Sequence, residues 1–185
     1  MKLIRALKTY LRSKFGGSDV SRWSQDESLH PNWDERTRML GRGIRERESV
    51  IEFGAGKMAL KAALPKGCKY LGTDIVSREP GMLVVDLNQL PLPDLGTHDV
   101  AIFSGVFEYL NDVPAVIAAV KPLVGRIATS YTVLENKPEL IRRRGNGCVN
   151  DFTREQFVAL FTAAGFKLVS TDTWREQVLF FFEKN

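Results

Sequence analysis

Short apolar runs alternate with amphipathic segments along most of the chain, a pattern typical of α/β folds. Seven segments have the apolar, β-branched and aromatic character of strands, at 49–53, 69–74, 82–85, 100–104, 126–131, 167–174 and 177–183. Helical spacing predicts helices at about 32–46, 58–64, 113–120 and 153–164. This alternation predicts a mostly parallel sheet covered by helices on both faces.

The end of the chain departs from this alternation. Only Arg175 and Glu176 separate the last two predicted strands, which is too short for a parallel crossover. The helix before them has a capping box at Thr153 and Gln156 and a glycine, Gly165, after its end. We therefore predict an α/β fold with a doubly wound, mostly parallel, seven-stranded sheet that ends in an antiparallel hairpin.

The beginning of the chain has a pattern of its own. Apolar residues recur at helical spacing between lysines and arginines: Leu3, Ile4, Leu7, Tyr10, Leu11 and Phe15. We predict a basic amphipathic helix within residues 1–20, followed by the main domain at 21–185. This helix either docks on the domain, which we favour, or contacts a membrane surface or a partner protein.

Composition limits the class of protein. The 185 residues are 44% hydrophobic and 26% charged, as in a soluble globular domain. No apolar run approaches the roughly 20 residues that cross a bilayer, and basic residues interrupt any signal-peptide core, so we expect a cytoplasmic location. Two cysteines and two histidines lack the spacing of a zinc site, and no metal is expected.

The net charge is a modest +4, which does not favour nucleic acid as a partner. Two local concentrations of basic residues are more informative. The first is the basic N-terminal stretch. The second is the arginine run at 142–144, inside a segment at 132–150 that resembles an insertion near a substrate pocket. This run is either a mobile loop that clamps an anionic group or, as we favour, a solvated arginine face.

The segment at 50–57 has the strongest chemical pattern. An apolar strand ends in Glu52, and Gly54 and Gly56 then turn the chain toward a predicted helix. Glycine lets the backbone approach a ligand closely, and a helix N-terminus favours anionic groups. Asp74 ends the second strand about twenty residues later, where a carboxylate can accept both hydroxyls of a bound ribose.

These segments resemble class I S-adenosylmethionine-dependent methyltransferases, whose first motif is an acid, any residue, Gly, any residue and Gly. The resemblance implies a Rossmann-like methyltransferase fold and S-adenosylmethionine as cofactor. It implies that the glycine loop contacts the methionine part, that Asp74 holds the ribose, and that Asp86 and the backbone of Leu87 bind adenine. The predicted cofactor residues are Glu52, Gly54, Ala55, Gly56, Asp74, Ile75, Asp86, Leu87 and Ser104.

The segment at 98–110 resembles the family's fourth strand, which runs under the cofactor into the substrate pocket. The candidate catalytic residues are Glu108 and Tyr109, after this strand, and Tyr131, at the end of the fifth. The chain departs from the family pattern at Met58, where a third glycine is usual, at Lys57, beside the expected sulfonium, and at Tyr109, where many relatives have histidine.

The predicted function is methyl transfer to an unidentified acceptor, a small molecule or a sugar-type compound. One alternative is a catalytically degenerate module of the same fold that acts through a partner protein. The departures at Met58 and Tyr109 leave room for it, whereas four retained residues argue against it: Gly54, Gly56, Asp74 and Asp86. A nicotinamide-dependent dehydrogenase is less favoured, because the terminal hairpin fits a methyltransferase sheet better.

Overall fold

The structure, a computed structural model, describes residues 2–185. The helices are α1 (Lys2–Lys14), α2 (Val20–Trp23), α3 (Trp33–Leu40), α4 (Val113–Val120), α5 (Leu140–Gly145) and α6 (Arg154–Ala163). The strands are β1 (Ser49–Phe53), β2 (Lys69–Asp74), β3 (Leu83–Val84), β4 (His98–Ser104), β5 (Val124–Tyr131), β6 (Phe166–Trp174) and β7 (Gln177–Lys184).

The strands form a single sheet in the order β3-β2-β1-β4-β5-β7-β6. Strands β1 to β5 pair in parallel, whereas β7 runs antiparallel to both β5 and β6. The predicted seven-stranded α/β sheet and its terminal hairpin are therefore confirmed. Because β1, β2 and β4 are parallel neighbours, their carboxyl ends meet at one edge of the sheet.

Side chains of the central strands alternate between two apolar layers, one on each face of the sheet. Phe53 and Phe103 belong to an aromatic-rich layer that α4 and α6 cover, and Phe157 and Phe161 of α6 pack there. The second layer lies on the opposite face and is completed by α3 and the terminal hairpin: it contains Leu40, Val50, Val100, Ile102 and Leu179. Helical segments thus cover both faces, as predicted.

Two predicted helices differ in the structure. The segment at 58–64 is not an α-helix, because Gly56 and Met58 both have positive φ, at 55° and 54°, and only a short 3-10 turn follows at Lys61–Ala63. The glycine loop therefore has no helix N-terminus behind it. The helix predicted at 32–46 ends at Leu40 and continues as a 3-10 turn at Gly41–Gly43.

The predictions for the arginine run are wrong for two of its three members. Arg143 is fully buried in α5: it donates hydrogen bonds to Asp151, at 2.6 Å, and to the carbonyl oxygen of Thr132, at 2.8 Å. Arg144 also pairs with Asp151, and only Arg142 lies exposed. Arg143, which is buried, and Arg144, which is half-buried, hold α5 to Asp151, so neither of them forms an anion clamp or a solvated face.

Helix α1 docks on α5, as favoured from the sequence, but with an unexpected face. Its buried residues are the small Ala6 and Thr9, whereas its large apolar residues are exposed. Within residues 2–185, no helix combines the length and apolar character that crossing a membrane requires.

Candidate functional site

A cavity of about 250 Å3 lies at the carboxyl edge of the sheet, where β1, β2 and β4 end. Open α/β sheets bind ligands at this edge. All nine of the predicted cofactor residues line the cavity: Glu52, Gly54, Ala55, Gly56, Asp74, Ile75, Asp86, Leu87 and Ser104.

The loop after β1 holds the Asp74 carboxylate in place. The backbone amide of Gly56 donates to Asp74 Oδ2 at 2.8 Å, and that of Ile75 donates to Oδ1 at 2.7 Å. Gly54 has a φ of 71°, and a Cβ there would stand 2.6 Å from Cγ2 of Val106. The loop thus needs glycine at this position, both for its backbone conformation and for its close approach to the segment after β4.

Glu52 brings a second carboxylate to the cavity, and only 1% of its surface is exposed. Burial raises the pKa of Glu52 to about 8, and the charge of Asp74 adds to this effect, while a hydrogen bond from the Tyr70 hydroxyl opposes it. At neutral pH this carboxyl group is therefore mostly protonated. A cation that enters the cavity beside it favours the ionised form.

The third carboxylate, Asp86, lies beyond β3 and is held by the N-terminal segment. Asp86 Oδ1 accepts hydrogen bonds from the Ser18 hydroxyl, at 2.7 Å, and from the backbone amide of Asn88, at 2.9 Å. Ser18 and several residues between 19 and 34 also line the cavity. The sequence did not reveal this role of Ser18, because the contact spans 68 positions and the serine belongs to no motif.

A larger cavity of about 1040 Å3 adjoins the first and shares part of its lining, including His30, Trp33, Arg36 and Tyr109. Four acidic residues line it: Asp19, Glu27, Glu108 and Glu176. They are outnumbered by seven basic residues: Arg5, Lys8, Arg12, Arg22, Arg36, Lys137 and Arg175. Such an excess of positive charge attracts anionic ligands.

Glu108 lies in the wall of the second cavity with 2% of its surface exposed. Its Oε1 accepts hydrogen bonds from the Thr132 backbone amide and from Gln177 Nε2, both at 2.9 Å. Within the described part of the chain, its Oε2 is buried without a hydrogen-bond partner. One carboxylate oxygen is thus fixed by the protein, and the other is shielded from solvent without a partner among the described residues.

Tyr109 lies where the two cavities meet, and its ring packs edge-on against Trp23 at a centroid distance of 4.7 Å. Burial raises the pKa of Tyr109, so the phenol stays neutral and can donate a hydrogen bond. His30 lines both cavities as well and packs against Trp33.

Tyr131, the third catalytic candidate, lies outside both cavities, so the prediction that it faces the substrate is wrong. Its ring stacks on Phe157 at 4.4 Å, and its hydroxyl donates to Asn150 Oδ1 at 2.7 Å. Burial raises the pKa of Tyr131 as well. The side chain is part of the aromatic core because it points to the face of the sheet that α6 covers.

Arg36 is a site residue that sequence reasoning missed. Its guanidinium donates to the hydroxyl and the carbonyl oxygen of Ser104, both at 2.9 Å, and to Gln177 Oε1 at 2.7 Å. A Cβ at position 105 would lie 2.7 Å from Nη1 of Arg36. The glycine at this position therefore leaves room for the arginine side chain. In the sequence, Arg36 stands among other charged residues of α3 and is indistinguishable from a solvated helix face.

The strand order and the cavity at the carboxyl edge of the sheet define the class of protein: this is the fold of class I methyltransferases. A family model described as a methyltransferase domain matches residues 23–171. The match covers most of the chain, which therefore belongs to this methyltransferase family. A search of curated proteins found no match.

Solved structures of methyltransferases share this fold. A candidate methyltransferase from Haloferax volcanii, solved in complex with the Trm112 methyltransferase activator, has a TM-score of 0.70 at 15% identity, covering 90% of this chain and 97% of that one. The 1,6-didemethyltoxoflavin-N1-methyltransferase of Burkholderia thailandensis has a TM-score of 0.61 at 16% identity, with coverage of 99% and 88%. An S-adenosylmethionine-dependent methyltransferase of Mesorhizobium loti has a TM-score of 0.61 at 13% identity, with coverage of 81% and 96%.

Proposed function

We propose that this protein transfers a methyl group from S-adenosylmethionine to an anionic small-molecule acceptor, which includes sugar-type compounds. The observation that carries the proposal is the convergence of three carboxylates on one cavity. Glu52, Asp74 and Asp86 come from the ends of three neighbouring strands and meet beside the glycine loop. Solved neighbours with bound S-adenosylhomocysteine, such as the Burkholderia enzyme, support this choice of cofactor.

The three carboxylates suit three parts of the cofactor. Asp74, oriented by the amides of Gly56 and Ile75, would accept the ribose hydroxyls. Asp86 and the backbone of Leu87, which line the same cavity, would bind the adenine ring. Glu52 and the glycine loop would hold the methionine part, whose positive charge favours an ionised Glu52. The cofactor itself supplies the reactive methyl group.

The acceptor site in this proposal is the second cavity, which adjoins the first and carries the basic lining. Methyl transfer is a direct displacement, so the protein mainly aligns the acceptor atom with the methyl carbon. Tyr109 and His30, which line both cavities, would orient the acceptor. A hydroxyl acceptor also requires a general base. The candidate is Oε2 of Glu108, which lies in the cavity wall without a hydrogen-bond partner among the described residues, while Oε1 of the same carboxylate is held by the Thr132 amide.

Calorimetric titration with S-adenosylmethionine and S-adenosylhomocysteine tests the cofactor. We expect dissociation constants of about micromolar order for the wild type, weakened about tenfold or more in Asp74→Asn. Glu155→Gln is the matched control, because Glu155 is an exposed carboxylate on α6 outside both cavities. Folded wild-type protein that binds neither ligand at about millimolar concentration would overturn the proposal.

The acceptor class is tested separately by measuring S-adenosylhomocysteine release with matched pairs of compounds, such as sugar phosphates or uronic acids against the corresponding neutral sugars. The proposal expects turnover with the charged member of a pair. A preference for neutral compounds contradicts the anionic acceptor while leaving cofactor binding intact. Binding of neither cofactor nor acceptor is the result expected of a catalytically degenerate module.

A further inference from the structure

Helix α1 presents three distinct faces. One face, with Ala6 and Thr9, is buried against the domain, where α1 contacts α5. A second face carries basic residues into the lining of the second cavity, namely Arg5, Lys8 and Arg12. The third face points to solvent and holds the large apolar residues of the helix.

This third face forms an apolar stripe of Leu3, Ile4, Leu7, Tyr10, Leu11 and Phe15. Every one of these side chains is about half exposed or more, from 49% at Leu11 to 87% at Phe15. The neighbouring helix α5 adds two more exposed side chains, Leu140 and Ile141. A surface helix normally turns its apolar stripe toward the core, and contiguous apolar surface of this kind marks a contact with another surface.

The charge around the stripe indicates what that other surface is. The first 18 residues contain no acidic residue. Lys14 follows Leu7 by seven positions and shares the face of the stripe, whereas Lys8 follows Ile4 by four positions and lies at the border between the stripe and the basic face. Both are exposed. Apolar side chains with basic residues at their margin are typical of helices that lie in the interface of an anionic bilayer.

The stripe is held on a fixed support rather than on a free helix. Helix α5, on which α1 packs, is anchored by the buried Arg143 through its hydrogen bonds to Asp151 and to the Thr132 carbonyl oxygen. The outward orientation of the stripe is therefore a property of the folded domain.

We propose that α1, together with the beginning of α5, docks this protein on an anionic lipid surface. The apolar stripe enters the boundary between headgroups and acyl chains, while Lys8 and Lys14 contact lipid phosphates. The basic face of the same helix lines the second cavity, so docking brings the mouth of that cavity close to the membrane. This proposal is independent of the methyl acceptor and of cofactor binding.

Co-sedimentation of the full chain with vesicles tests the proposal. We expect binding to phosphatidylcholine vesicles that contain about 30% phosphatidylglycerol, and much weaker binding to phosphatidylcholine alone. Raising the salt from about 0.05 to about 0.5 M should lower the affinity for the anionic vesicles, because it screens the lysines. Equal binding to neutral and anionic vesicles would contradict the charge argument.

Three single variants separate the stripe from the rest of the surface. Leu7→Glu should weaken vesicle binding about tenfold or more, and Lys14→Glu should weaken it less, by removing one phosphate contact. Val169→Glu is the control, because Val169 is 54% exposed but lies on β6. Circular dichroism and cofactor affinity should be the same in all three, since none of these residues lines a cavity.

Two outcomes would overturn the proposal. One is that the wild type does not bind anionic vesicles, although it is folded. The other is that the stripe joins two copies of the chain: sedimentation velocity would then show a dimer, Leu7→Glu would make it a monomer, and the wild-type dimer would not bind vesicles.

Discussion

Tyr70 donates a hydrogen bond of 2.5 Å to Glu52, and the two side chains reach each other from adjacent parallel strands. The residue opposite Glu52 in the register is Gly72, whose missing side chain leaves the space that the Tyr70 ring crosses. The Tyr70 ring thus covers one side of the Glu52 carboxyl group, which is already buried. This contact gives the cofactor cavity an acid whose charge depends on its occupant.

The raised pKa of Glu52 predicts how stability depends on pH. Because the folded state holds this proton more tightly than the unfolded state, the contribution of Glu52 to stability is complete below its ordinary pKa of 4.5. It is lost as the pH rises through about 8. We expect Glu52→Gln to remove this dependence, which amounts to up to about 1.4 kcal/mol per pH unit for one group. Denaturant unfolding of both proteins across this pH range measures it, and parallel curves for the two would contradict it.

Affinity for the cofactor should depend on pH for the same reason. A ligand whose methionine part is positively charged binds the ionised form of Glu52, which is the minor form below pH 8. We therefore expect affinity for S-adenosylmethionine to rise by up to about tenfold per pH unit below this value. Calorimetry at a series of pH values checks this. Glu52→Gln should bind more weakly with a flatter profile, and a steep profile in that variant would show that another group is responsible.

The strands and the cofactor cavity could be predicted from the sequence because each rests on a local pattern. A buried apolar run such as 49–53 identifies a strand, and Glu52 and Asp74 stand at the ends of two such runs. The parallel order then brings both acids to one edge. The prediction of a helix at 58–64 was wrong. It rested on a composition that favours helices, but Met58 packs with Ala55 and Met82 in a backbone conformation with positive φ.

Other features could not be predicted because they depend on distant partners. Spacing showed which residues of α1 share a face, but only the docked structure shows that Ala6 and Thr9 form the buried one. Arg36 and Ser18 acquire their roles through contacts 68 positions away. A single sequence without its fold contains no pattern for such pairs.

The glycine loop predicts a matched pair of substitutions. Gly54 and Gly96 have nearly the same φ, 71° and 70°, but an added Cβ meets Val106 at Gly54 and open space at Gly96. We expect Gly96→Ala to cost about 1 kcal/mol from its backbone conformation alone. Gly54→Ala should cost at least about 2 kcal/mol more, because it also forces the close contact. Equilibrium unfolding measures the loss of stability in both variants. Adding Val106→Ala to Gly54→Ala should recover part of the extra loss. Equal losses for Gly54→Ala and Gly96→Ala would show that the contact with Val106 has no energetic effect.

Two neighbouring arginines should respond very differently to the same substitution. Arg143→Met leaves the buried carbonyl oxygen of Thr132 without its donor and leaves Asp151 with Arg144 as its remaining partner. We expect a loss of about 1–3 kcal/mol in the free energy of unfolding. Arg142→Met removes an exposed side chain whose ion pair with Glu176 is long, at 3.7 Å, and should change stability by about 0.5 kcal/mol or less. Thermal or denaturant unfolding compares them, and similar losses would mean that Arg143 does not anchor α5.

Glu108→Gln separates a chemical role of this residue from a structural one. The amide oxygen of glutamine can keep the contacts of Oε1 with Thr132 and Gln177, so that only the unpartnered Oε2 is replaced. If Glu108 is the base for a hydroxyl acceptor, kcat should fall about a hundredfold or more, while the Kd for S-adenosylmethionine and the stability stay the same. An unchanged kcat, with or without a loss of stability, would assign Glu108 to the support of the Thr132 loop.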